Sequence, residues 1–208
     1  MFNKYIIFLL VALNSTFAFS YPQEYIGNES RKFLETIRWD QQYEAERKKD
    51  VNYLFGSING ELFHNLTPEQ KELILTSMKS TILKQIIEDR DLFKNYILLQ
   101  YTKFFTTDEL EKLSKYFQTE VMQMLIQSQI DQNQLSSTEI STKLALSPQK
   151  DQLIIEKLRD SYLNARYTRF QEKIRPTVNK MIYERMQEIL KQSINNLPLL
   201  IKDIKSNG

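Results

Sequence analysis

Apolar residues recur every three or four positions along most of this chain, a spacing that predicts an all-α fold. From Glu29 to about Asp50, Phe33, Ile37 and Trp39 stand among many charges, which predicts a moderately amphipathic helix. The charge cluster Glu44 to Asp50 is expected on its solvated face. Thr67-Pro68-Glu69-Gln70 is a helix start: threonine can cap free amides, proline suits the first helical position, and Gln70 completes a capping box. Ile74, Met78, Ile82 and Ile86 follow at regular helical spacing, widened by Leu75, Leu83 and Ile87. Glu88 to Asp91 either breaks this helix or lets it run on, and Phe93, Ile97, Tyr101 and Phe104 continue the pattern.

Thr106-Thr107-Asp108-Glu109 is a second capping box, with Phe105 placed to staple against Leu110 and two acids at the positive end of the helix dipole. Leu110, Leu113, Phe117, Val121 and Met124 form one core-facing stripe. Polar Gln127 to Gln134 predicts a loop or fraying end, and Ser136 to Glu139 starts another short helix. Ser147-Pro148 opens the longest helical pattern, reaching about Ser193. Pro176 is expected to kink or split it, because proline lacks a backbone donor and crowds the preceding turn. Asn195-Asn196-Leu197-Pro198 ends it, leaving a short amphipathic tail.

Two stretches carry less pattern. Tyr21 to Asn28 is expected to be a short mobile lead-in. Between Val51 and Phe63, Gly56 and Asn59-Gly60 mark turns. An apolar loop or short helix packed on the core is favoured there over a hairpin, since a lone hairpin is marginal in water.

The first 20 residues have a different character. Lys4 supplies a positive start, Tyr5 to Leu13 an apolar run, and Ala18-Phe19-Ser20 a small-x-small cleavage site, the form of a secretory signal peptide. The run is far below the roughly 20 residues that span a bilayer. Cleavage is expected between Ser20 and Tyr21, with cutting after Ala18 as the alternative. The expected organisation is residues 1–20 as signal peptide, 21–50 as lead-in and helix, and 51–208 as a helical domain continuous with it. No further transmembrane segment is expected after signal removal, and the product is expected to be exported, either periplasmic or secreted.

Charge and composition narrow the function classes. Lys plus Arg total 28 and Asp plus Glu 26, so removing Lys4 with the leader leaves a net +1 and no global reason to bind nucleic acid. The absence of cysteine excludes disulfides, thiolate chemistry, cysteine-ligated zinc and bacterial lipoprotein attachment. Only 4 glycines and 5 prolines favour long helices over a turn-rich architecture. Richness in Ile, Lys, Asn, Phe and Tyr is consistent with AT-biased bacterial coding.

The stretch Phe104-Phe105-Thr106-Thr107-Asp108-Glu109-Leu110-Glu111-Lys112-Leu113-Ser114-Lys115-Tyr116-Phe117 resembles the bacterial exported domain-of-unknown-function family 2059, whose hallmark has the form F-T-x-x-E-L-x-x-L-x-x-F-Y-x-S-P-x-G. Phe105, Thr106, Glu109, Leu110 and Leu113 fall on matching places, and Tyr116-Phe117 carries the aromatic pair reversed. Where that pattern has S-P-x-G this chain has Thr119-Glu120-Val121-Met122, so the helix is expected to continue through it. The resemblance implies an exported helical domain and assigns no activity.

No catalytic constellation, cofactor site or metal site is visible in the sequence. His64 is the single histidine and has no nucleophile-elbow partner, so it is expected to be an ordinary loop residue. Glu88, Asp89 and Asp91 could in principle supply paired carboxylates, yet a charged helix junction favours local ion pairing. They also lack calcium-loop spacing. Arg159, Arg166 and Lys173 recur at a seven-residue interval, with Arg169 and Tyr162 nearby. Between Lys150 and Lys191 ten basic residues face six acidic ones. Glu156, Asp160 and Glu172 interleave with the stripe and can pair with it, which favours a solvated face.

Leu163, Tyr167, Phe170 and Ile174 form an apolar stripe across from Ile154, Leu158 and Ala165, so this segment must be buried twice, within the domain or against another chain. The expected architecture is a single irregular helical bundle with a long C-terminal helix kinked near Pro176. The expected function is that of a non-enzymatic exported module that binds a protein partner or a second copy through residues 147–193. Arg159, Tyr162, Arg166, Phe170 and Lys173 are the candidate partner surface. An envelope- or host-directed hydrolase using carboxylates and a holdase-like chaperone are the alternatives.

Overall fold

A computed structural model describes residues 26–56, 63, 66–159 and 161–206, and among these the fold is all-α. Residues 1–25, with the expected signal segment and its cleavage site at Ser20 and Tyr21, residues 57–62, with the expected turn at Asn59-Gly60, and His64 lie outside the described residues.

Helices α1 (Asn28–Thr36) and α2 (Trp39–Gly56) replace the one helix expected from Glu29 to Asp50. Ile37 and Arg38 form the break. Arg38 adopts φ 51°, the left-handed conformation that ends many helices. The neighbouring helix α6 (Glu120–Ile130) holds this turn: Gln123 Nε2 donates to the Thr36 carbonyl at 3.0 Å, and Arg38 Nη1 donates to Gln127 Oε1 at 2.6 Å. A partner remote in sequence thus stabilises a break that local pattern does not mark. The lead-in also ends in contact with the core, because Ile26 is buried and the Gly27 amide donates to Thr102 Oγ1 at 3.1 Å. Helix α2 runs through Gly56, past the expected boundary at Asp50, and buries Val51 and Phe55.

Helix α3 (Pro68–Glu88) begins at the expected capping box, with both reciprocal Thr67–Gln70 bonds formed, and buries Ile74, Met78, Ile82 and Ile86. Asp89 alone separates it from α4 (Arg90–Phe104), so Glu88 to Asp91 is a break of one residue. Thr106 and Glu109 cap α5 (Thr107–Phe117), and Leu110 and Leu113 are buried as their stripe predicts.

The chain does not continue as one helix through Thr119 to Met122. Thr119 is extended and only 2% exposed, and Asp151 Oδ2 accepts the Glu120 amide at 3.1 Å, capping α6 from a distant segment. Helix α6 then extends through Gln127 to Ile130, where a loop or frayed end was expected, and Gln132, just past its end, has φ 56°.

Ser136 and Glu139 box α7 (Ser137–Leu146), and α8 spans Gln149–Arg159. The long C-terminal pattern splits here, ahead of Pro176: Ser161 turns the chain and its hydroxyl accepts the Asn164 amide at 3.1 Å. Helix α9 (Tyr162–Asn195) then runs on through Pro176, and α10 spans Leu197–Ser206.

Helix α3 packs against both α2 and α9, while α4 also packs on α9 and α6 packs on α2. Aromatic rings fill the centre. Phe33 meets Tyr101 at 5.0 Å and Phe117 at 5.6 Å between ring centroids, and Phe170 meets Tyr101, Phe104 and Phe105 at 4.6, 5.0 and 5.2 Å. Leu158, Leu163, Phe170 and Ile174 all join this core, so the stripes expected on residues 147–193 are largely buried within the chain itself.

Candidate binding cleft

Helices α2 and α9 each pack on α3 but leave a gap between themselves, and that gap holds a cleft of about 700 Å³. Helix α2 presents Trp39, Tyr43, Glu46 and Arg47 to it, α4 presents Ile97 and Tyr101, α6 presents Met122, Leu125 and Ile126, and α9 presents Tyr167, Gln171, Arg175, Val178 and Ile182. On α2 and α9 these residues recur at three- and four-residue spacing, so each helix offers one face. A second cleft of about 490 Å³ adjoins it, lined by Tyr53, Leu54, Tyr183 and Met186, and shares Glu46, Arg47, Lys49, Arg175, Asn179 and Ile182 with the first. These shared residues form a waist between the two.

The floor contains three tyrosines, and the hydroxyls of Tyr43 and Tyr101 are already engaged. Tyr43 donates to the Ile86 carbonyl at 2.8 Å. The Tyr101 oxygen accepts from Gln171 Nε2 at 2.6 Å, and Tyr167 lies beside them. Burial raises all three phenols above the ordinary tyrosine range, Tyr167 to about 12 and Tyr101 well above its usual value, because a phenolate would lose its hydration there. They stay protonated at neutral pH. The floor therefore behaves as an apolar surface, with Trp39 stacked on Tyr43 at 5.1 Å.

Charge is confined to the waist. Arg47, only 4% exposed, lies over the Tyr43 ring with its guanidinium carbon 4.9 Å from the centroid. Asp50 accepts from its Nε and Nη2 at 3.0 and 2.8 Å, and Glu46 lies 3.3 Å from Nη2. The cluster Glu44 to Asp50 is thus not wholly solvated: Ala45 and Arg47 are buried. Across the mouth, Arg175 Nη2 on α9 stands 3.8 Å from Glu46 Oε1 on α2.

The candidate partner residues are dispersed. Arg159 is exposed at the end of α8, Tyr162 is 73% exposed at the start of α9, and Lys173 is exposed. Arg166 is used internally: it pairs with Glu109 at 3.1 Å, donates to the Phe104 carbonyl, and lies 4.9 Å over the Phe104 ring. Phe170 is only 3% exposed and belongs to the core, not to a partner surface. Of the acids at the helix junction, Asp89 pairs with Arg185 at 2.6 Å, Glu88 with Lys84 at 3.9 Å and Asp91 with Arg90 at 3.8 Å. Among the described residues no group of three or more His, Asp or Glu side chains is placed to hold a metal, and no helix is long and apolar enough to cross a membrane.

Tyr43 and Asn179 were not named by sequence reasoning, and Trp39, Arg47 and Tyr101 were read there only as parts of helix patterns. The signal was present in part: Trp39, Tyr43, Glu46 and Asp50 share one helical face, but charges mixed among the rings disguise it. Comparison with known proteins adds no relative, since no family model, curated protein or solved structure matches this chain.

Proposed function

We propose that this chain is an exported, non-enzymatic binding protein whose working site is the cleft between α2, α6 and α9. One observation carries the reading: a cleft of about 700 Å³, within the usual range for small-molecule sites, whose floor is apolar and whose internal polar groups already satisfy one another. Such a floor gains by covering apolar surface and offers no activated group to a substrate at neutral pH. The α9 wall lies within the segment 147–193 expected to meet a partner, so the cleft replaces the Arg159–Lys173 stripe as the contact. Export rests on the leader in residues 1–20.

The test is purification from the native source followed by mass spectrometry of everything retained. Asn179 is exposed and lines both clefts, so Asn179→Trp fills the waist without burdening the core. The expected result is a retained compound in the wild type that the variant lacks, on a chain beginning at Tyr21 or Phe19. Equal contents in both forms would overturn the cleft as the working site. An intact Met1 on a cytosolic species would overturn export.

A further inference from the structure

Resting on the cleft reading, we infer that the occupant is a free long-chain carboxylate, with its hydrocarbon tail in the larger cleft and its head group at the waist.

Width comes first. The lining side chains Tyr43, Ile97, Tyr101, Ile126, Val178 and Ile182 each keep less than a tenth of their surface open, so the floor offers only a thin strip of each. A helix with side chains, about 10–12 Å across, would need a floor far more open than this. The Glu46–Arg175 pair also crosses the mouth at 3.8 Å. A slender chain suits the space beneath that strap better than a helix does.

Polarity then separates two kinds of thread. An extended peptide carries an amide donor and acceptor at every residue, and each needs a partner when buried. The floor has little to offer them: the Tyr43 hydroxyl is bonded to Ile86 and the Tyr101 oxygen to Gln171, while the side-chain amides of Gln129, Gln132, Asn133 and Gln134 line the cleft only at its exposed rim. A hydrocarbon chain makes no such demand.

Charge at the waist selects the head group. Three cations, Arg47, Lys49 and Arg175, face two acids, Glu46 and Asp50, leaving a net positive site. Arg47 is held by Asp50 and Glu46, whereas Arg175 is 70% exposed and touches Glu46 only at 3.8 Å. Arg175 and Lys49 can therefore turn toward a carboxylate at the end of the tail. A cationic head would meet the same net charge unfavourably.

Trp39 is the one tryptophan of the chain and lines the larger cleft, so its emission reports occupancy. The probes are hexadecanoate, hexadecan-1-ol and hexadecylammonium, each titrated below its self-association limit, with calorimetry in parallel. Hexadecanoate is expected to bind one to one and at least tenfold tighter than the ammonium. Tetradecanoate is expected to bind about tenfold weaker than hexadecanoate, from two lost methylenes. Arg175→Glu should abolish the preference for carboxylate while keeping alcohol binding, and Asn179→Trp should block all three probes.

Equal affinity for the three head groups, or an unchanged preference in Arg175→Glu, overturns the inference and leaves the cleft reading standing. So does binding of the chain to anionic vesicles or to an acidic peptide in place of hexadecanoate. If the native protein retains a compound lost in Asn179→Trp that is not a long-chain carboxylate, this inference fails alone. If nothing distinguishes the two forms, the cleft reading fails with it.

Discussion

Truncating Phe170 to alanine separates a core role from a partner-facing one. The ring is 3% exposed and sits within 5.2 Å, centroid to centroid, of Tyr101, Phe104 and Phe105. Removing a buried phenylalanine side chain costs about 3–5 kcal/mol, combining lost transfer energy with the cavity left behind. Each well-placed aromatic pair adds about 0.5–1.5 kcal/mol beyond area burial, so the upper part of that range applies here. A loss near 4 kcal/mol is a large share of a typical stability of about 5–15 kcal/mol. For a chain of this size it corresponds to a fall in Tm of roughly 8–16 °C.

The assay is urea denaturation followed by circular dichroism, with Tyr162→Ala as the comparison. Tyr162 lies on the same helix but is 73% exposed, and its loss should stay within about 0.5 kcal/mol. If Phe170→Ala unfolds at the wild-type midpoint, the aromatic core described above is refuted and Phe170 returns to the surface. If Tyr162→Ala is the more destabilised of the two, the orientation of α9 is wrong.

Three further outcomes follow from the same packing. Tyr43, Tyr101 and Tyr167 have folded-state pKa values raised above the unfolded value near 10, so their stabilisation is fully present below pH 10 and is lost as pH rises through the folded values, about 12 for Tyr167. Unfolding free energy measured from pH 8 to 11.5 should fall by up to about 1.4 kcal/mol per pH unit per tyrosine, and Tyr43→Phe should flatten the fall; a pH-independent profile would refute burial of these phenols. Arg38→Val should destabilise by about 1–2 kcal/mol, since a β-branched residue resists φ 51°, while Arg38→Gly, which relieves that conformation but loses the bond to Gln127, should melt well above Arg38→Val and near wild type. Asp151→Ala should cost about 1–2 kcal/mol by uncapping α6, whereas Asp151→Asn keeps an acceptor and should stay near wild type; equal losses would show that the cap to Glu120 is not formed.

Features governed by short-range chemistry were legible in the sequence. The capping boxes at Thr67, Thr106 and Ser136 form because their partners lie three residues away, and the Ile74–Ile86 stripe is buried because helical spacing alone puts it on one face. Helix breaks were legible only where a local residue makes them. At Arg38 the turn is held by Gln123 and Gln127, and at Thr119 the new helix start is capped by Asp151. No window of neighbouring residues contains those partners. Pro176 shows the converse, because a strong local breaker sits inside a helix that packing on α3 and α4 keeps continuous. The cleft was hidden for a related reason: it belongs to a gap between α2 and α9, and a gap has no sequence of its own.

That gap traces back to the turn at Arg38. One straight helix from Glu29 onward could not follow both of its actual neighbours, since α1 lies against α4 and α5 whereas α2 lies against α3 and α6. The left-handed residue redirects the chain, and α2 then stands apart from α9 with α6 beside it. The side chains that secure the turn, Gln123 and Gln127, come from the same α6 that supplies Met122, Leu125 and Ile126 to the cleft. The start of α6 is fixed in turn by Asp151 on α8. The wall of the cleft is therefore set by hydrogen bonds made before any occupant arrives, so little ordering remains to oppose binding. A cleft built this way should keep its shape when empty, and Trp39 should show one emission environment in the free protein that shifts only on loading.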